Sequence, residues 1–207
     1  MLALMIAVIM TIGASAKTVS IFAFDSLDHT WSDAAVELMT GKVGNAVGRT
    51  IDSINYTPCI VCAEWVENPI DFTGYRQNAD ATLHMWIYVS DVDEIGTDCA
   101  IELNDINSTG KALRFPLDTT ALKNGWNEYS CKVADATPDD GVDITKIASM
   151  RVFIYGYSFT LAVDNLEIVL PGEDEEVTPP TADYISVAVV CAVVAGAALV
   201  FTKKKVK

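Results

Sequence analysis

Positive charge is scarce in this chain: 14 of its 207 residues are Lys or Arg, against 28 Asp and Glu, for a formal net charge of −14. Four of the basic residues close the chain at 203–207, and Asp183 is the one acidic residue beyond position 181. Residues 17–181 therefore hold 10 basic and 27 acidic side chains, near −17. A surface of that sign repels phosphates and other polyanions, which argues against nucleic acid as a partner and favours neutral ligands or cations. Histidine is scarcer still. Only His29 and His84 offer an imidazole base, and no G-x-S-x-G nucleophile turn occurs. Carboxylates are so numerous that the sequence singles out no acid/base pair of the kind a glycoside hydrolase needs. The expectation is a protein that is not an enzyme. Internal repeats are absent and helical periodicity is rare.

Long apolar runs occur at the two ends. Residues 1–16 carry an apolar run from position 2 to 10 and close on Ala14-Ser15-Ala16, small residues that suit a signal peptidase cutting before Lys17. Residues 184–202 form an uncharged, mostly aliphatic stretch long enough to span a bilayer as a helix. The basic tail 203–207 holds its far end inside the cell. Residues 171–183 are acidic and proline-rich, an extended spacer that contains Thr178-Pro179-Pro180-Thr181-Ala182-Asp183. Pro179-x-Thr181-Ala182, an apolar helix and a basic tail together resemble the sortase cell-wall sorting signal of Gram-positive bacteria, usually Leu-Pro-x-Thr-Gly. Thr178 and Ala182 depart from that form. The resemblance implies cleavage between Thr181 and Ala182 and transfer of Thr181 to peptidoglycan, with sortase and the wall as partners. A plain membrane anchor gives the same location, at the cell surface with the ectodomain outside.

Residues 17–170 are then a single ectodomain, large enough to bury its own core. Four of the five cysteines, Cys59, Cys62, Cys99 and Cys131, fall in it, and an even number permits two disulfides in three pairings. Cys59 and Cys62 sit in an apolar run that reads as a strand, where positions i and i+3 point to opposite faces. That favours core cysteines over a metal or redox pair.

Between residues 18 and 170, short alternating runs recur at intervals of about ten residues, broken by Gly, Pro, Asn and Asp, as in an all-β sandwich or barrel. The expected strands are 19–24, 36–39, 59–66, 81–89, 99–103, 113–117, 127–133, 150–157 and 160–169, the last two joined as a hairpin around Gly156-Tyr157-Ser158. Four segments carry a second resemblance: Asp71-Phe72-Thr73-Gly74-Tyr75, Leu83 to Asp91, Leu122-Lys123-Asn124-Gly125-Trp126-Asn127, and Leu161-Ala162-Val163-Asp164-Asn165-Leu166. Their order resembles the galactose-binding-like jelly-roll β-sandwiches used as carbohydrate-binding modules. The resemblance implies a structural calcium near the meeting of first and last strands, where Asp25 and Asp164 stand.

Strand parity narrows the candidate ligand site. In 81–89 one face is aliphatic and the other carries His84, Trp86 and Tyr88. In 150–157, Arg151, Phe153, Tyr155 and Tyr157 oppose Met150, Val152 and Ile154, and in 99–103 Glu102 opposes Ile101 and Leu103. Aromatic rings cover the C–H face of a pyranose while Glu, Arg and His bond its hydroxyls. The same rings also suit a satellite packing cluster. Trp126, beside a turn, reads as packing. These residues lead to an expected cell-surface module that binds neutral extracellular glycans without catalysis. The alternative is a structural or adhesive domain that contacts proteins or spaces the envelope.

Overall fold

The computed structural model describes residues 16–32, 35–107 and 111–172. The spacer beyond residue 172, the sorting motif Pro179/Thr181/Ala182, the membrane stretch, the basic tail and residues 1–15 of the leader lie outside the described residues. The described residues form one compact unit. Its strands are β1 (Lys17–Phe22), β2 (Thr30–Trp31), β3 (Glu37–Thr40), β4 (Asn45–Glu64), β5 (Thr82–Val89), β6 (Ile95–Asp105), β7 (Ala112–Phe115), β8 (Gly125–Lys132), β9 (Thr137–Pro138) and β10 (Ile147–Leu170). A five-residue helix, α1 (Thr73–Gln77), and four single turns of 3-10 helix lie in the connections. The described unit is mostly β, as expected.

Two strands dominate, and both were under-read. β4 runs for 20 residues and β10 for 24, antiparallel to each other along most of their length. The expected hairpin around Gly156 is therefore not a turn. β10 continues through it, and the pairing shifts from Gly156↔Thr57 to Ser158↔Asp52, so residues 53–56 of β4 bulge out opposite Tyr157. Glycine is required at 156 by close approach: a Cβ there would come within 2.5 Å of the Glu94 carbonyl oxygen and 2.6 Å of the Phe159 ring. A bulge bends and twists the strand that carries it, and here it carries both strands from one layer into the other.

The first layer runs β2, β4 (its second half), β10 (its first half), β6, β7, β9. In the second, β3 pairs with the first half of β4, the second half of β10 follows, then β5 and β8, while β1 pairs along the end of β10. The inward side chains of both layers meet in one cluster, with Val61, Ile101, Leu103, Met150, Val152 and Ile154 from the first and Leu83, Met85, Ile87, Leu161, Val163 and Ile168 from the second. Each such side chain stabilises the fold by about 1.5–3 kcal/mol on burial. The inward set on β10 alternates as 150, 152, 154, then 159, 161, 163, then 166, 168. Each bulge shifts the parity by one residue. The second shift, between Asp164 and Glu167, coincides with the left-handed φ of 57° at Asn165, a conformation that asparagine tolerates better than most residues.

Candidate functional site

The residues singled out by parity are divided between two faces. Glu102, Arg151, Phe153 and Tyr155 point outward from the first layer. His84, Trp86 and Tyr88 point outward from the second, since their strand β5 pairs with the far half of β10. Alternation along a strand separates its two faces. It does not say to which layer the strand belongs.

On the first layer the rings are continuous. Tyr155 lies 6.0 Å from Phe153 and 5.5 Å from Tyr56, and Tyr56 lies 5.7 Å from Tyr157. Arg151 stacks on the Phe153 ring at 5.4 Å, so the strip ends on a guanidinium. Tyr56 and Tyr157 are 42% and 44% exposed. The bulge of residues 53–56 brings Tyr56 into the strip. Its ring rests on Gly96, where a Cβ would collide with the phenol, and its hydroxyl donates to Asp98 Oδ2 at 3.3 Å. Desolvation, and after it the Asp98 charge, raises the Tyr56 pKa, so the phenol stays a proton donor. Tyr56, Gly96 and Asp98 are not apparent from the sequence. Tyr56 lies in the stretch between expected strands, with no alternation strong enough to place it.

Beside the strip lies a charged cluster. Glu102 is 1% exposed, and its two carboxylate oxygens are taken by Arg114 and Arg151, Arg151 Nε donating to Oε2 at 2.8 Å. Arg114 also forks onto Asp139, with Nε to Oδ1 at 2.9 Å and Nη2 to Oδ2 at 3.1 Å. That fork holds the Asp139 carboxyl below the usual carboxylate range. With both oxygens engaged, Glu102 is an anchor for two arginines.

The second face is more self-occupied. His84 Nε2 lies 3.0 Å from Glu128 Oε1, and Nδ1 lies 3.1 Å from Glu167 Oε1, an ion-pair distance without the alignment of a hydrogen bond. Lys42 Nζ sits 4.9 Å above the Trp86 ring. Tyr88 meets Trp126 edge to face at 5.4 Å.

Asp25 and Asp164 come together at the turn between β3 and β4. Asp164 Oδ2 accepts the N–H groups of Lys42 and Val43 at 2.8 and 2.9 Å, and Asp25 Oδ1 accepts that of Asn45 at 3.0 Å. Asp164 is fully buried, and its Oδ1 has no hydrogen-bond partner among the described residues. Desolvation raises its pKa above the ordinary value despite those two N–H groups. Both carboxylates adjoin left-handed residues, Phe24 at φ 62° and Asn165 at φ 57°. Among the described residues no three His, Cys, Asp or Glu side chains gather as an ion site. Cys59 points into the core, and Cys62, paired in register with Arg151, lies on the opposite face but is also buried. Burial raises the Cys99 and Cys131 thiols, which keeps them protonated.

No family model and no curated protein matches the chain. Solved structures of similar shape include the family 11 carbohydrate-binding module from Clostridium thermocellum, seen with a β-1,3-1,4-mixed-linked tetrasaccharide (14% identity, 73% of this chain and 94% of that one, TM-score 0.46). A family 30 module of a cellulosomal cellulase from the same organism matches over 77% of this chain and 92% of its own, with 14% identity and a TM-score of 0.47. A mannan-recognising module matches over 76% and 99%, with 12% identity and a TM-score of 0.43. Identities this low leave the site to be argued from its own residues.

Proposed function

We propose that the described unit is a non-catalytic carbohydrate-binding module of the galactose-binding-like jelly-roll kind, which binds neutral extracellular glycans along the first layer. The observation that carries this reading is the unbroken strip Phe153–Tyr155–Tyr56–Tyr157 on an outward sheet face, ending on Arg151. Ring faces cover the apolar C–H surface of successive sugars. Arg151, Asp98 and the phenol hydroxyls supply donors and acceptors at the margins, and the low basic content suits an uncharged ligand. The test is a screen of the full chain on immobilised glycans, with calcium and with chelator. Saturable binding to a neutral glycan supports the module. Silence from a well-folded sample turns the reading to the adhesive alternative, which Ile54 favours, since it projects 94% exposed from the bulge beside Tyr56.

Gly96→Ala tests the seat of Tyr56. The added Cβ collides with the phenol, so Tyr56 must leave the strip. The expected result is a several-fold rise in Kd by calorimetry with an unchanged far-ultraviolet circular dichroism spectrum. Unchanged affinity would remove Tyr56 from the site.

Calcium belongs to the same proposal. The donor set fits a hard cation: two carboxylates, one with a buried oxygen that nothing among the described residues satisfies, beside a turn whose carbonyls can complete the shell. Asp25 and Asp164 would hold the ion, which would neutralise their charges and fasten the turn to β10. The folded pKa of Asp164 is raised, so without a cation its contribution is favourable at low pH and is lost as pH rises through that value. Scanning calorimetry should therefore show a calcium-dependent gain in Tm that grows with rising pH and disappears in Asp164→Asn. Equal Tm in calcium and chelator at pH 8 counts against the ion.

Export and surface display follow from the ends of the sequence: the apolar leader closing on Ala16, and the order Pro179-x-Thr181-Ala182, apolar stretch, basic tail. Mass spectrometry of wall digests for a peptide ending at Thr181 tests the sortase reading against a plain membrane anchor.

A further inference from the structure

A groove lies along the edge of the second layer. Among the described strands β8 pairs with β5 alone, and beyond its free edge runs the segment 116–123, leaving a groove of about 480 Å³. A volume of this size falls within the range of small-ligand sites and has room for roughly one or two sugar rings. Its walls include Trp126, Asp118, Lys123, Glu128 and Ser130. Trp126 is also the outer member of the aromatic pair with Tyr88, and its indole N–H has no acceptor among the described residues. Asn127 closes one end. Its side-chain oxygen accepts the Lys123 N–H at 2.9 Å and its amide donates to the Lys123 and Gly125 carbonyls at 2.8 and 3.0 Å, which fixes the turn that presents Trp126.

The chemistry of this groove is mixed in sign and rich in hydrogen-bonding groups. Asp118 accepts the Thr120 hydroxyl at 2.6 Å and its N–H at 2.9 Å, and these bonds hold its carboxyl below the usual range. It therefore stays an acceptor. Glu128 adds a carboxylate, Ser130 a hydroxyl, and Lys123 a cation with no ion-pair partner among the described residues. An aromatic ring beside both donors and acceptors, with two carboxylates against one ammonium, selects a hydroxyl-bearing neutral molecule over an anion or a purely apolar one.

We propose that the protein has a second saccharide site in this groove, built on Trp126 and separate from the strip on the first layer, which takes a short neutral saccharide or a chain end. The ligand class rests on the reading above; the residues do not overlap with it. Two sites on opposite layers make the module bivalent, so that it gains avidity for, and cross-links, multichain glycans.

The test uses the full chain as wild type, Trp126→Ala, Tyr155→Ala and the double variant, titrated calorimetrically with oligosaccharides of mixed-linked β-glucan, mannan and xylan. Pelleting of the soluble polysaccharides provides a second readout. Ser130→Arg accompanies Trp126→Ala, because it fills the groove from an exposed strand position without removing a packed ring. The expected result is two binding events per chain in the wild type and one in each single variant. Binding vanishes in the double variant, and polysaccharide pelleting is lost in every variant. Should Trp126→Ala and Ser130→Arg both leave the stoichiometry and affinity of a folded sample unchanged while Tyr155→Ala removes binding, the groove is no site and the strip stands. Loss through Trp126 and Ser130 with no effect of Tyr155→Ala upholds the groove and overturns the strip. A folded wild type that binds none of the probes overturns both.

Discussion

Tyr155→Ala is expected to weaken glycan binding by roughly thirtyfold, about 2 kcal/mol, the scale of one aromatic contact surface removed from a bound ligand. Tyr155 occupies the middle of the strip, between Phe153 and Tyr56. Its loss therefore divides the track instead of shortening it. The cost to stability should stay below about 1 kcal/mol, because the side chain is only half-buried on an outward face and leaves no cavity in the core. Tyr155→Phe separates ring from hydroxyl: retention of most affinity assigns the contact to the ring, and a loss as large as that of Ala assigns it to the hydroxyl. Isothermal titration of both variants, beside thermal melts, gives the answer. Wild-type affinity in Tyr155→Ala would remove the strip from the binding surface.

Glu102→Ala should have the largest effect on stability. Removing the carboxylate strands two guanidinium groups side by side on one sheet row, with Arg114 still tied to Asp139 and Arg151 tied only to the Phe153 ring. Breaking a fully buried pair costs about 3–5 kcal/mol. Here the arginine side chains are 38% and 41% exposed, so water screens part of the repulsion and about 2–4 kcal/mol is expected. For a domain of this size that is a fall in Tm of roughly 5–15 °C. Replacing two of the three together, as Glu102→Leu with Arg151→Met, should recover much of the loss, because it removes the guanidinium that has no other carboxylate while Arg114 keeps Asp139. A Glu102→Ala protein that melts with the wild type would show that the cluster carries no stability.

Much of the sheet was legible because its half-buried strands alternate cleanly. In β5, Leu83, Met85, Ile87 and Val89 enter the core while His84, Trp86 and Tyr88 face out, as parity requires. The first half of β4 was not legible. Gly48, Asp52, Ser53 and Asn55 read as loop residues, yet Gly48 lies under Met39 and against Ala162, where a side chain has no room, and the polar residues sit at the bend. The hairpin expected at Gly156 failed for a related reason: glycine there admits a neighbouring backbone, not a turn. The candidate ligand residues are legible in the sequence without their partition between the layers. Alternation is local, whereas the layer a strand joins depends on pairing with β10 more than 60 residues away.

β10 also governs when the fold can form. It hydrogen-bonds to β1, β4, β5 and β6, and it is the last strand of the described chain. The first layer lacks its central member until residue 156 has been synthesised, and the second until residue 170. Pairings this distant in sequence must close long loops before burial repays them, which places such topologies among slow folders. A nascent chain of this design has no finished core to resist being threaded, the condition in which a secretory channel accepts a polypeptide.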